Sequence, residues 1–325
     1  MTDIEDAIHI DVHLKEDREG ALKDLRAGLA RTPKELNPHF FYDDAGSALF
    51  EKICTLPEYY QTRTEKALLE ASAGDIIETT GIEEVLELGS GAATKTRVLL
   101  NAMHQAKKLR LYLPFDVNEW IVRRTAKELT QKYPGLKVHG IIGDFEKHHD
   151  LIPTGKHRLT IFLGGTIGNF SPKGAQRFLQ DIAEGMHPGD HFLLGTDLIK
   201  DRQQLHDAYN DSQGVTADFN LNILNVVNSI ADGNFDPTGF EHRAFFEETH
   251  HRIEMWLDAK REMVVDLPKA GITVTLKNGE GIRTEISTKF DQEKVSALLE
   301  SAGMRLEKWY TDPDNLFALS LARRI

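Results

Sequence analysis

Short apolar runs alternate along the chain with stretches of helical spacing, and that alternation predicts the architecture. Val85-Leu86-Glu87-Leu88 reads as a first strand, and Val98-Leu99-Leu100-Asn101-Ala102-Met103 as the helix after it. Further strands are predicted over residues 109–116, 138–145, 159–163 and 191–198. The last two are apolar throughout, as strands covered on both faces should be. Strands alternating with helices imply an α/β fold with a parallel sheet and a ligand at the carboxyl ends of its strands.

Outside residues 63–197 the pattern changes. Residues 1 to about 36 are predicted helical around an apolar stripe of Leu22, Leu25 and Leu29. Two aromatic stretches follow, Pro38-His39-Phe40-Phe41-Tyr42-Asp43 and Leu56-Pro57-Glu58-Tyr59-Tyr60, each broken by turn residues, where binding surfaces tend to lie. Thr62-Arg63-Thr64-Glu65 has the spacing of a capping box opening a helix at Lys66. From about 199 to 288 the alternation stops, and helical segments around Tyr209 and 219–230 precede several strand-like ones. This predicts a second α+β unit, an inserted lid pairing with the N-terminal segment. In Thr284-Glu285-Ile286-Ser287 the period of two puts Glu285 and Ser287 on one face. A helix over 292–302 and strands over 305–309 and 317–321 close the chain and complete the sheet. The expected division is therefore 63–197 plus 290–325 as a ligand-binding core, and 1–62 plus 198–289 as a substrate-binding or lid domain.

Composition narrows the function. With 325 residues, 40% of them hydrophobic, a sizeable core is available. The net charge of -12 argues against nucleic acid or an anionic membrane as partner and leaves a small substrate; a monomer is expected. Cys54 is the one cysteine, in an apolar setting that suits packing, so no internal disulfide is expected and the compartment is reducing. The acidic N-terminus lacks a signal-peptide core, and no apolar run approaches the roughly 20 residues of a membrane span, which predicts a cytoplasmic protein. His148-His149 and His250-His251 lack zinc-helix spacing, so no metal is expected.

The chemistry gathers at Glu87-Leu88-Gly89-Ser90-Gly91-Ala92-Ala93-Thr94-Lys95. Gly89 and Gly91 let the backbone approach a ligand, and the following helix offers its unpaired N–H groups. A dinucleotide fingerprint needs a third glycine where Thr94 stands. Glu87, at the end of the strand, would repel a pyrophosphate but can hold a positively charged amino acid moiety. S-adenosyl-L-methionine carries that moiety and no phosphate, and the turn resembles motif I of the class I methyltransferases. Asp116 stands where a ribose-binding acid belongs, and Asp144, after the third strand, can accept from an adenine amino group.

Taken together, Phe41-Tyr42-Asp43, Leu56-Pro57-Glu58-Tyr59-Tyr60, the Glu87–Gly91 turn, Phe162-Leu163-Gly164-Gly165-Thr166-Ile167-Gly168-Asn169, Gly195-Thr196-Asp197-Leu198, Ile253-Glu254-Met255-Trp256-Leu257 and Thr284-Glu285-Ile286-Ser287 resemble the histidine-specific N-alpha-methyltransferases of ergothioneine biosynthesis, along nearly the whole chain. The resemblance implies a Rossmann-like class I core with a second α+β substrate-binding domain, and three methyl transfers from S-adenosyl-L-methionine to the α-amine of L-histidine, giving hercynine. It places Gly89, Lys95, Asp116, Asp144 and Phe145 at the cofactor, joining Glu87 and Gly91. Tyr42, Phe50, Tyr59, Gly164, Thr166, Asn169, Tyr209, Met255, Glu285 and Ser287 fall at the histidine. Asn169 and Tyr209 can donate to the substrate carboxylate, Glu285 and Ser287 can bind the imidazole nitrogens, and Tyr42 or a bound water can relay the amine proton. Ala92-Ala93-Thr94 is less polar than the family pattern, which bears on cofactor affinity. The competing expectation is a related N-methyltransferase acting on another amino acid, such as a tryptophan derivative; a carboxylate facing an indole carbon surface would be poorly paired.

Overall fold

The structure, a computed structural model, describes residues 7–14 and 18–325. The chain divides into two compact units: Met1–Lys15 with Arg63–Leu198 and Phe290–Ile325, and Glu16–Thr62 with Ile199–Lys289.

The first unit is built on an eight-stranded sheet. In spatial order it runs β1 (Ile8–Val12), β5 (Lys137–Ile142), β4 (Leu111–Asp116), β3 (Glu84–Leu88), β6 (Arg158–Phe162), β7 (His191–Asp197), β14 (Phe317–Arg324) and β13 (Met304–Thr311). The first six strands are parallel, and β14 is antiparallel to both its neighbours. Strand order reverses between β3 and β6, so a switch point opens at their carboxyl ends. The period of two in β3 divides its side chains between two cores. Val85 packs with Leu69 and Ile76 of α3 (Gln61–Thr80), Leu99 and Met103 of α4 (Thr96–Gln105) and Leu129 of α5 (Glu119–Lys132). Leu86 and Leu88 pack with Phe178 and Leu179 of α6 (Pro172–Glu184) and with Val295 and Leu299 of α9 (Gln292–Ser301).

Two expectations are corrected here. Residues 1–6 and 15–17 of the expected N-terminal helix lie outside the described residues, and 8–12 are a strand of this first unit's sheet. Ile8 and Ile10 alternate with His9 and Asp11, a period of two that the helical reading passed over, and all five residues pair with β5. The Ile10 side chain fills the space over Gly140, where a Cβ would meet its Cδ1 at 2.6 Å. On the other face His9 and His139 place their Nε2 atoms 3.0 and 2.7 Å from the Asp11 carboxylate, and the hydrogen bond from His139 holds that carboxyl below its ordinary range. Secondly, α3 starts at Gln61, so Thr62 lies inside the helix instead of capping it, and the Glu65 carboxylate is used elsewhere.

The second unit has a four-stranded sheet in the order β2 (Lys34–Glu35), β12 (Gly281–Thr288), β9 (Arg252–Ala259) and β8 (Phe240–Glu247), beside a hairpin of β10 (Met263–Leu267) and β11 (Ile272–Leu276). Its helices are α1 (Arg18–Leu29), α2 (Asp44–Ile53), α7 (Arg202–Tyr209) and α8 (Val215–Ala231). The pairing of β2 with β12 ties the N-terminal segment to the later strands. Between Arg283 and Glu285 the ladder shifts, leaving Thr284 as a bulge whose hydroxyl donates toward Asn220 Oδ1 at 2.6 Å and the Met255 carbonyl at 3.1 Å. Beyond it Glu285 pairs with Met255 and Ser287 with Ile253, while Arg252, Glu254, Trp256 and Arg283 share the opposite face through ion pairs and a Trp256–Glu254 hydrogen bond. Among the described residues no helix is long and apolar enough to cross a membrane.

Candidate active site

In the first unit the expected cofactor residues converge at the carboxyl ends of β3, β4 and β5. Gly89 and Gly91 have positive φ of 73° and 46°, a conformation that favours glycine. The turn is held from below: Gly89 N–H donates to the Phe115 carbonyl at 2.8 Å, and Gly91 N–H to Asp116 Oδ2 at 2.8 Å. Asp116 Oδ1 accepts from Asn118 N–H at 2.9 Å, so each carboxylate oxygen keeps a lone pair for a ribose hydroxyl. Burial raises this carboxyl above its ordinary range despite those bonds. Asp144 receives Glu146 N–H at 3.0 Å and Lys147 Nζ at 3.3 Å. The Phe145 ring stands over Gly89, 3.6 Å from where a Cβ would be, and packs edge-on against Phe115, Phe162 and Phe178. Glycine turn, two acids and a ring together fit S-adenosyl-L-methionine.

Glu87 differs from its expected part. It is 5% exposed, and its two oxygens accept from the hydroxyls of Thr96 and Tyr112. It therefore points into the fold, clamping β3 to β4 and to the start of α4. Burial pushes its carboxyl up to about 7, with the two hydrogen bonds opposing. Between about 4.5 and 7 the native chain keeps a proton that the unfolded chain has released, so stability falls as pH rises through that window. Glu87→Gln is expected to be more stable than the parent at pH 8 by about 3 kcal/mol, with the difference vanishing below about pH 5. Thermal unfolding at the two pH values checks this, and a pH-independent difference would contradict it.

Glu65, expected only as the last member of a capping box, organises the loop after β6. Its side chain is fully buried, both oxygens accept from Gly164 N–H at 2.8 and 3.0 Å, and Lys95 pairs with it from the start of α4. Gly195 on β7 leaves the room: a Cβ there would stand 2.1 Å from Glu65 Oε1. Gly164, with φ of 83°, leads into a 3-10 turn over Thr166–Asn169, where Thr166 donates to the Leu163 carbonyl at 3.1 Å. Two of the expected residues, Lys95 and Gly164, are thus set by one buried carboxylate, and Thr166 and Asn169 follow in the same loop.

The second unit gathers the remaining residues. Asp43 caps α2 by accepting Gly46 N–H at 2.7 Å and also takes Asn222 Nδ2 of α8 at 2.8 Å, which fixes the Phe41-Tyr42 stretch. Gly46 is required because a Cβ there would lie 1.7 Å from the Phe41 carbonyl oxygen. Tyr42, Phe50 and Tyr59 form an edge-to-face chain with centroids 5.9 and 6.2 Å apart, and Phe219 of α8, missed from sequence, lies 6.0 Å from both Tyr42 and Phe50. Loss of water around its hydroxyl, reinforced by Tyr209, Cys54, Tyr42 and Glu285, raises Tyr59 above the ordinary phenol range, so it stays protonated, whereas Tyr42 is half exposed. Met255 is buried opposite Glu285. Tyr209, expected at the carboxylate end of the substrate, donates to Ser287, expected at the ring end, at 2.9 Å. Lys289, also missed, is buried against both.

A family model described as histidine-specific methyltransferase, SAM-dependent, matches residues 21–324. A histidine N-alpha-methyltransferase of Mycolicibacterium smegmatis is 45% identical over 306 residues, which cover 94% of this chain and 95% of the relative. The protein of the same name from Mycobacterium tuberculosis is 43% identical over 302 residues, covering 93% and 94%. Ergothioneine biosynthesis protein 1 of Neurospora crassa is 28% identical over 312 residues, 90% of this chain but 34% of that longer protein. With a match that runs almost end to end, the chain belongs to the SAM-dependent histidine-specific methyltransferase family.

Proposed function

We propose that the protein trimethylates the α-amine of L-histidine, giving hercynine, as a step of ergothioneine biosynthesis. The observation that carries this reading is the placing of Glu285 and Ser287, an acceptor and a hydroxyl, on one face of β12 within a unit that also holds the aromatic set Tyr42, Phe50 and Tyr59. S-adenosylmethionine, when bound, supplies a methyl group on a sulfonium, held by the glycine turn, Lys95, Asp116, Asp144 and Phe145. The chain's residues orient the other reactant. Glu285 and Ser287 take the ring nitrogens and Tyr209 donates to the carboxylate, which orients the amine. The amine must first lose a proton, which the Tyr42 hydroxyl takes as it gives its own to solvent, Tyr42 being half exposed. As methyl groups accumulate the nitrogen becomes a permanent cation, and the faces of Tyr42, Phe50 and Tyr59 accommodate it without N–H donors being needed. The unit of 16–62 and 199–289 is in this reading the substrate domain, and the enzyme works as a cytoplasmic monomer on small molecules, which its net charge of -12 favours over polyanionic partners.

The test is mass spectrometry of the purified protein with S-adenosylmethionine and a panel of amino acids. Trimethylated histidine alone is the expected product; methylation of another amino acid only would overturn the substrate while leaving the reaction class. For the cofactor side, Asp116→Ala is expected to weaken S-adenosylmethionine binding at least about tenfold, since it removes the ribose acceptor and frees Gly91 N–H. An unaltered dissociation constant by calorimetry would contradict the ribose role.

A further inference from the structure

Lys289, the residue after β12, is 0% exposed. Its Nζ donates to Ser287 Oγ at 2.8 Å and to Tyr209 Oη at 3.0 Å, and lies 4.9 Å from the centre of the Tyr209 ring. Tyr209 in turn donates to Ser287 at 2.9 Å. Burying an ammonium is costly, and a methionine of similar length would fill the space without that cost. The charge acts directly on the two hydroxyls.

An ammonium has three donors and no acceptor, so Ser287 and Tyr209 can only receive from it. Ser287 Oγ accepts twice, which occupies both lone pairs and leaves its own O–H as the one bond it can still make. When the Tyr209 proton turns to a substrate carboxylate, Lys289 still donates into both oxygens, and its positive charge opposes the approach of a further N–H to Ser287. Titratable groups that face this cluster include Glu285 on the same strand, Tyr42 and Tyr59 of the N-terminal segment, which interact electrostatically with Glu285 and Tyr209, Cys54, which interacts with those two tyrosines, and His242 of β8, whose ring bonds the Tyr209 carbonyl at 3.0 Å. The Arg252–Glu254 pair lies on the opposite face of the sheet.

We propose that Lys289 is a positioning residue that fixes Ser287 as a donor and thereby makes the enzyme select the neutral imidazole, with its N–H on Glu285 and its bare nitrogen on Ser287. An imidazolium would bring a second N–H against the Ser287 O–H and a second positive charge beside a buried ammonium. This rests on histidine being the substrate of this unit.

The experiment uses the full-length protein with ring-15N histidine and S-adenosylhomocysteine, which prevents turnover. At pH 6, below the free ring's ordinary value near 6.5, the bound ring is expected to show one protonated and one bare nitrogen. In parallel, Lys289→Met is expected to raise KM for histidine about tenfold or more with kcat within about threefold and S-adenosylmethionine affinity unchanged. Its kcat/KM profile loses the extra steepening that the wild type shows below about pH 6.5. A doubly protonated bound ring in the wild type, or a Lys289→Met variant with wild-type KM and acid limb, overturns the proposal; should the variant not fold, the wild-type spectrum decides alone. Methylation of histidine with a doubly protonated ring removes this proposal and leaves the substrate standing. A wild type that neither binds nor methylates histidine removes both.

Discussion

Glu285→Ala is expected to lower kcat/KM for histidine by about 100-fold or more while leaving the S-adenosylmethionine dissociation constant unchanged. The carboxylate faces the side of β12 that Ser287 shares and pairs across the ladder with buried Met255. Without it the ring N–H that the proposed pose places here loses its charged acceptor, and the desolvation cost of that group is left uncompensated. Glu285→Gln keeps an acceptor oxygen and should fall between the two. Steady-state kinetics combined with cofactor titration read the effect, and histidine kinetics unchanged in the alanine variant would withdraw that residue from the ring site.

The second large effect is expected in the other unit. Glu65→Ala should cost about 3–5 kcal/mol of stability, because it leaves Lys95 without its buried partner and Gly164 N–H without its acceptor. It should also weaken cofactor binding, since Lys95 takes its position from this carboxylate. Glu65→Gln with Lys95→Met removes both charges and keeps an acceptor for Gly164. This double variant should regain much of the folding stability and none of the cofactor affinity. Denaturant unfolding and calorimetry separate the two readouts; equal stability of Glu65→Ala and the parent would show that the buried pair does not hold the loop.

The contrast between these two residues explains what could be read from the sequence. The central strands were legible because each is a run of apolar residues ending in an acid or a glycine, and a strand covered on both faces needs nothing else. The glycine turn and Asp116 were legible for the same local reason. Glu65 was not: its partner Gly164 is 99 residues away, and in sequence it looked like the last member of a capping box. Lys289 meets Tyr209 across 80 residues, and Phe219 sits within an apolar helix where nothing marks it as part of an aromatic cluster. Glu87 was legible as an acid in the right place, but only the structure shows that Thr96 and Tyr112 have claimed it. At the N-terminus a five-residue alternation was too short to compete with the leucine stripe that follows it, and β1 was read as helix.

The bulge at Thr284 has a consequence for fidelity of assembly. If β12 were to straighten, so that Thr284 took its turn in the ladder, every later residue would slide by one and Glu285 would come directly opposite Glu254, the partner now facing Ile286. Two carboxylates would then meet across the strands, and like charges directly opposite are penalised. The misaligned strand pair is thus rejected by the same side chain that the aligned one turns to the Ser287 face, so a molecule that has lost Glu285 to the wrong face is also one that has difficulty persisting.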